Sequence, residues 1–449
     1  MIKRLLIANR GEIAVRIIRT CREMGIETVA VYSTADRDGL PVRLADKAVC
    51  IGPPPASASY LMRNNLIMAA IHTDCDGIHP GVGFLAENPD FARLTADNGL
   101  IFIGPDPKVM ELLGDKVQAR ATAQRFGIPI TPGTENAVGD FTEALAAVRT
   151  LGFPVIIKAA AGGGGKGMRV VRQEAELQEQ ILLAQAEAAS NFADPRVFIE
   201  RYLENPRHVE LQILAAGDGA VAVLGERDCS VQKNHQKLIE ESPSPGVSGP
   251  MRDKMAEGAV KLFRELGYRG AGTIEFLVVG EDYYFMEVNV RLQVEHPVSE
   301  CITGTDIVRE QILSCTEGRM ELDPEAVRRD GWAMECRINA LHPGRVSELR
   351  LPGGPGVRFD TYLYSGCTVP SHYDALVGKL IVHGPNRERV LARMDRALGE
   401  LCIEGIQTNR SEQARIIQDR GFRSGRFGTA YYAAFESQQR IPAETTHGR

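Results

Sequence analysis

Three rhythms of apolar and polar positions divide the 449-residue chain. Residues 3–8 read as a short strand, its apolar residues Leu5 to Ala8 consecutive as in a strand buried on both faces of a parallel sheet. In residues 12–24, Ile13, Ile17, Ile18, Cys21 and Met24 recur at helical spacing, and Gly25 closes the helix. Residues 27–32 return to strand character, so the three segments predict a βαβ unit, and the apolar run at 99–104 extends its sheet toward residue 113. The first βα turn, Ala8-Asn-Arg-Gly-Glu-Ile-Ala14, lacks the GxGxxG that lets a pyrophosphate approach. Asp36, after the second strand, therefore reads as a loop acid rather than a ribose partner. Residues 78–88, rich in glycine and proline, read as a tight loop.

From residue 114 the pattern turns helical, then passes through a Pro-rich link at 128–133, a helix at 141–151 and a strand at 153–158. That strand ends in Lys158 and runs through Gly162-Gly-Gly-Gly-Lys-Gly-Met168 into another strand. Glycines expose backbone N–H groups and lysines supply charge, which suits a phosphate. The loop is not GxxxxGK[ST] leading into a helix, so it is no Walker A motif; a ligand-free glycine hairpin is the other reading. Residues 197–203 are an apolar run broken by Glu200, and 206–214 alternate with His208, Glu210 and Gln212 on one face. Residues 226–241 crowd charges of both signs, as a salt-bridged solvated surface also would.

The richest pattern spans residues 270–297. Residues 270–280 form a strand-like run whose lone acid is Glu275, and 285–297 alternate so that Glu287, Asn289, Arg291, Gln293 and Glu295 share one side. A turn at 280–282 folds the two into a hairpin and brings Glu275 near Glu287. Clustered carboxylates raise one another's pKa unless a cation lies between them, and Mg²⁺ favours one or two carboxylates plus phosphate oxygens. The solvated face of an edge hairpin would look the same. Residues 303–329 read as helix and linker; a third region begins at Gly331, with a Gly/Pro-rich turn at 352–356 and a closing helix at 387–400.

Composition narrows the classes. With 44% hydrophobic and 24% charged residues and a net charge of -6, the chain is ordinary for a globular protein and carries no broad basic footprint for nucleic acid or an anionic membrane. The apolar start is interrupted at Asn9 to Glu12, unlike a signal peptide, and no apolar stretch is long enough to span a bilayer. Nine scattered cysteines without a CxxC pair favour reduced thiols and a cytoplasmic protein, with Cys229 alone placed among motif residues.

Taken together, the motifs His79-Pro-Gly-Val-Gly-Phe-Leu-Ala-Glu-Asn88, Gly162 to Met168, Glu226-Arg-Asp-Cys-Ser230, His235-Gln-Lys237 and Arg291-Leu-Gln-Val-Glu-His-Pro297 resemble biotin carboxylase over nearly the whole chain. The resemblance implies an α/β and α+β protein in three parts. These are a Rossmann-like domain at 1–113, an ATP-grasp domain at 114–317 with a mobile lid at about 131–203, and a C-terminal domain at 330–440. It implies that Lys116, Lys158, Gly163, Gly164, Gly165, Gly167, Met168, Glu200, Leu203, His208, Glu210, Gln232, His235, Leu277, Glu275 and Glu287 serve ATP. Glu275, Glu287 and Asn289 would hold Mg²⁺ or Mn²⁺, two per site. Lys237, Arg291, Gln293 and the backbone of Val294 would hold bicarbonate, with Glu295 as general base in forming carboxyphosphate. Val82, Gly83 and Arg337 would meet biotin, Arg337 stabilising its enolate-like oxygen.

The implied reaction is the first half of an acyl-CoA carboxylase such as acetyl-CoA carboxylase, on a biotin carboxyl carrier protein and with a separate carboxyltransferase. A homodimer is also implied, with Arg19, Glu23 and Arg358 near its contact. The chain departs from the family pattern at Val82 (usually tyrosine), Val290 (threonine), Asn234 (arginine) and Pro355 (phenylalanine), and in a shortened segment after Asn339, reduced to Ala340-Leu-His-Pro-Gly344. Most departures fall on the acceptor side. An ATP-grasp paralogue carboxylating a small amide or urea-like acceptor is therefore the alternative, and a nucleotide-binding subunit without turnover is disfavoured by Lys237, Arg291, Glu295 and Arg337.

Overall fold

The computed structural model describes residues 2–134, 136–138, 140–160 and 168–440. At the N-terminus, β1 (Arg4–Ile7), β2 (Glu27–Ser33), β3 (Lys47–Gly52), β4 (Gly77–His79) and β5 (Ile101–Phe102) form a parallel sheet in the order β3-β2-β1-β4-β5. This is the expected βαβ winding, with the helix Gly11–Glu23 burying Ile13, Ile17, Ile18 and Cys21. Asp36 is a structural acid: it accepts two hydrogen bonds from Arg10 and one from Tyr60. The tight loop after β4 closes on Asn9, whose Nδ2 donates to Pro80 O and Val82 O at 2.8 Å each. Gly81, at φ +67, has no room for a Cβ, which would lie 2.8 Å from Asn9 Nδ2.

A small antiparallel sheet follows, with β6 (Val155–Ala159) between β7 (Arg169–Val171) and β8 (Val197–Arg201). The helices Phe141–Leu151 and Glu174–Phe192 cover it over their own apolar cluster, which includes Val155, Ile157, Leu177 and Ile199. This part therefore has an apolar core of its own.

The rest is organised on one eight-stranded antiparallel sheet. Its first strands are β9 (Arg207–Ala215), β10 (Val221–Lys233), β11 (Gln236–Ser242), β12 (Gly270–Val279), β13 (Asp282–Asn289) and β14 (Trp332–Asn339). The order is β13-β12-β9-β10-β11-β14, continued by Leu376–Gly384 and Val357–Thr361. Pairing of β11 with β14 joins the third sequence region to the second without a break. The helix Arg387–Glu400 forms as expected but does not close the chain, since Arg410–Gln418, Arg420–Arg423 and Tyr431–Arg440 follow. Among the described residues, no helix is long and apolar enough to cross a membrane.

Two readings need correction. The charge-rich stretch 226–241 is not the solvated surface that one reading of it gives: Glu226, Arg227, Asp228, Glu240 and Glu241 are all buried on β10 and β11, and each meets an opposite charge from a neighbouring strand or a covering helix. The strand expected to run to Glu295 ends at Asn289. Leu292 turns into the core, Gln293 bonds Thr273, and Pro297 opens the helix His296–Thr303, so Arg291 to Glu295 form a loop.

Candidate active site

The open face of the large sheet, the small sheet and the N-terminal loop wall a cleft of about 1010 Å³. The hairpin of β12 and β13 forms with its turn where the sequence placed it, and Glu275 and Glu287 are direct cross-strand partners. Glu275 Oε1 accepts from Asn289 Nδ2 at 2.7 Å, and its Oε2 lies 2.5 Å from His208 Nε2. Gln232 Nε2 lies 2.6 Å from His208 Nδ1; burial opposes a charge on the imidazole, but Glu275 outweighs it and raises the His208 pKa. Burial opposes ionisation of Glu275, but Lys237 and His208 outweigh it and hold the carboxyl well below the usual range. Glu287 lies 3.7 Å from Lys116 Nζ. Two carboxylates and an amide on one cleft wall, one carboxylate held ionised, are a donor set that suits Mg²⁺ or Mn²⁺.

Lys237 stands at the centre of the acids. Its Nζ donates to Glu210 at 2.8 Å, Glu295 at 2.7 Å and Glu275 at 3.2 Å. Burial alone would discharge it, but the carboxylates of Glu210, Glu275 and Glu295 raise its pKa well above the lysine range. Glu210, Cys229 and Glu295 have ligand atoms within 4.8 Å of one another, yet the Lys237 ammonium already sits against both carboxylates and no metal is called for there. Burial pushes the Cys229 thiol up, so it is no nucleophile at neutral pH.

Glu295 is fully buried and takes Lys237 on Oε1 and Arg337 Nη2 on Oε2, the latter at 3.0 Å. Burial would raise its carboxyl; Lys237, Arg337 and Arg227 reverse that and keep it ionised, able to accept a proton. Arg291, two residues past the strand, donates through Nε to Glu87 at 2.9 Å and through Nη1 to Gln293 Oε1 at 3.1 Å. The carbonyl of Val294 accepts from the buried Lys379 at 2.7 Å, which pins the loop from below.

Lys116, Lys158, Met168, Glu200, Leu203, His208, Gln232, His235, Lys237, Glu275, Leu277, Glu287, Asn289, Arg291, Gln293, Val294, Glu295, Arg337 and Val82 all line this cleft. Two others do not. Glu210 lies behind the wall, between Arg227 and Lys237, and Gly83 does not line the cleft although Val82 does. Gly163, Gly164, Gly165 and Gly167 fall outside the described residues. Glu200 bridges Arg120 and Lys158 through two short ion pairs. Asn234, where the resemblance expects arginine, lies at the tip of the β10–β11 hairpin with φ 50, followed by His235 at φ 63. Asparagine tolerates that left-handed turn.

Sequence reasoning missed Glu87, Arg227, Glu240, Glu335 and Lys379. Glu87 and Arg227 stood inside quoted motifs, but their partners Arg291 and Glu210 are 204 and 17 residues away, beyond any local periodicity.

Comparison with known proteins agrees with this geometry. Three family models match: "Biotin carboxylase, N-terminal domain" over residues 1–110, "Carbamoyl-phosphate synthase L chain, ATP binding domain" over 115–319, and "Biotin carboxylase C-terminal domain" over 335–434. The biotin carboxylase of Allochromatium vinosum is 51% identical, with 95% of this chain and 96% of that one covered. Biotin carboxylase 1 of Bacillus subtilis is 48% identical, with 97% and 99% covered. Among solved structures, the biotin carboxylase of Campylobacter jejuni superposes with a TM-score of 0.94 at 42% identity, covering 97% of this chain and 99% of that one. The biotin carboxylase domain dimer of the Hydrogenobacter thermophilus 2-oxoglutarate carboxylase, solved with MgADP, ADP and bicarbonate, gives 0.93 at 41% identity, covering 97% and 98%. The chain belongs to the biotin carboxylase family.

Proposed function

We infer that the protein carboxylates biotin with ATP and bicarbonate, a ligase reaction. One observation carries the reading: Glu295, a buried ionised carboxylate on the cleft wall, is flanked by two cations, Lys237 and Arg337. A bound anion beside Lys237 and Arg291 would meet both charge and a base. In this assignment Lys237, Arg291, Gln293 and the Val294 backbone hold bicarbonate, and Glu295 takes its proton as an oxygen attacks the γ-phosphorus. ADP and carboxyphosphate result, and carboxyphosphate breaks down to CO₂ and phosphate. Phosphate then accepts the N1′ proton of biotin while Arg337 stabilises the ureido oxygen, and the freed N1′ electron pair forms the bond to CO₂ that gives carboxybiotin. Lys116 and Lys158 bind ATP phosphates, with His208, Gln232, His235, Glu200, Leu203 and Leu277 around the nucleotide. Glu210 acts at one remove, holding Lys237. Mg²⁺ or Mn²⁺ at Glu275, Glu287 and Asn289 would neutralise phosphate charge.

The three working parts would be 1–113, 114–317 with its lid, and 330–440. The acceptor in the full reaction is biotin on a carrier protein, with a carboxyltransferase completing an acyl-CoA carboxylase in the cytoplasm. The chain acts as a homodimer through the face that bears the exposed Arg19 and Glu23.

The test is ADP release with MgATP and bicarbonate, with and without free biotin. Stimulation by biotin is expected; turnover indifferent both to biotin and to a biotinylated carrier would overturn the reading in favour of another acceptor. Val82 also makes a prediction. A Val82→Tyr variant restores a phenolic hydroxyl on the cleft wall, and one added hydrogen bond is expected to lower the KM for biotin by about three- to tenfold. The same assay over a biotin titration reads it, and an unchanged KM would remove this position from the biotin site.

A further inference from the structure

Arg337 is held by two carboxylates of which the reaction demands different things. Glu240 Oε1 accepts from Arg337 Nε at 2.6 Å, and Glu295 Oε2 accepts from Nη2 at 3.0 Å. Nη1 has no protein partner among the described residues, and the side chain lines the cleft. The arginine's strand is fixed independently, because Asn409 and Gln413 both donate to the Arg337 carbonyl, at 3.0 and 2.9 Å. What remains to be fixed is the direction of the guanidinium, and only the two carboxylates fix it.

Glu240 lies on β11 directly across from Glu335 on β14, and both are wholly buried. Glu240 Oε2 and both oxygens of Glu335 lack hydrogen-bond partners. Burying two acids side by side is expensive, and an amide or apolar pair would relieve it at once. The groups facing Glu240 are Arg337 and Glu335 on β14, Lys237 on its own strand and Glu295 from the loop, with the thiols of Cys229 and Cys336 and, past Glu335, Lys379. Arg337 is bonded to Glu240 and not to Glu335. Burial accordingly lifts the Glu335 carboxyl well above its ordinary range but Glu240 only to about 7, so the proton of the pair rests on Glu335 and the charge on Glu240.

We propose that Glu240 is a positioning residue for Arg337, the anchor that keeps the guanidinium directed during transfer to biotin. The proposal rests on the assignment of Glu295 and Arg337 above. When bicarbonate loses its proton, the O–H bond electrons stay with the bicarbonate oxygen that attacks phosphorus, and Glu295 gains the proton and loses its charge. Its ion pair with Nη2 then becomes an ordinary hydrogen bond. Nη2 is released toward the ureido oxygen together with Nη1, while Nε stays on Glu240. The proton transfer that accompanies carboxyphosphate formation thus frees the group needed for transfer to biotin, provided one carboxylate outside the chemistry holds the other edge.

The test uses the whole protein at pH 8, with MgATP and bicarbonate, and follows ADP release without biotin and across a biotin titration. Glu240→Gln is expected to lower the biotin-stimulated kcat by about 10- to 100-fold, the usual cost of removing a group that orients a site residue. The biotin-independent rate should fall much less, and Arg337→Ala should show the same split. Glu335→Gln, which mimics the protonated acid, should behave as wild type in both assays. Should Glu240→Gln fail to fold, Glu240→Asp keeps the charge but retracts it, and the same split in smaller measure is expected. Equal losses in both rates would make Glu240 merely structural, and an unchanged biotin-stimulated rate while Arg337→Ala falls would also overturn the proposal. A wild-type protein that ignores biotin would overturn the reading of the site and the proposal with it.

Discussion

Replacing Glu295 by glutamine is expected to lower bicarbonate-dependent ADP release by about 10²- to 10⁴-fold, the range for loss of a positioned general base. The amide has nearly the same shape and still accepts a hydrogen bond from Lys237, which now lies 2.7 Å from Oε1. What it cannot do is take a proton. Removing the negative charge also leaves Lys237, Arg337 and Arg227 with less to balance them around the site, since all three act on Glu295. Anion binding should therefore be kept or improved while turnover collapses, so the loss should appear in kcat rather than in the KM for bicarbonate. Nucleotide affinity, measured by calorimetry with MgADP, should change little because the groups assigned to phosphate are untouched. A loss below about tenfold would place the base elsewhere.

The parts of this protein legible from sequence are those whose partners are near in the chain. The hairpin of Glu275 and Glu287 is the clearest, since an alternation, a turn and a second alternation bring the two acids near one another; that they become direct partners depends on a register shift between Glu275 and Phe276, which the alternation does not show. The N-terminal winding was legible for the same reason. The stretch 226–241 shows the limit. Its charges read as surface because single-sequence polarity says nothing about the partner that satisfies a charge, and here the partners come from β9, from the helices Gly249–Glu265 and Arg387–Glu400, and from β14. Arg291 to Glu295 failed differently. The two-residue rhythm continues past Asn289, but burial of Leu292 and the proline-started helix end the strand there. The loop still delivers Arg291, Gln293 and Glu295 to the cleft that the alternation had pointed to. The acids behind Arg337 had no local signal, because Glu240 and Glu335 meet only through the long-range pairing of β11 with β14.

Arg227 carries the largest expected effect on stability. Its side chain is fully buried, Nε donates to Glu210 at 2.7 Å, and Nη1 donates to Gln212 at 2.7 Å and to Ser299 at 2.8 Å. It thus ties adjacent strands β9 and β10 to the helix that follows Glu295. Arg227→Met fills the volume but leaves Glu210 as a buried carboxylate with Lys237 as its remaining cation, and breaking such a pair costs about 3–5 kcal/mol. Denaturant unfolding followed by circular dichroism should read that loss. The same change should damage activity in the folded fraction, because Glu210 then competes harder with Glu295 for Lys237. Adding Glu210→Gln removes the stranded charge, so the double variant is expected to recover part of the stability, as replacing both members of a buried ion pair commonly does. If the double variant is instead as unstable as the sum of the two single changes, the cost lies in lost packing and hydrogen bonds to Gln212 and Ser299, and the ion pair is not what holds β9, β10 and the helix together.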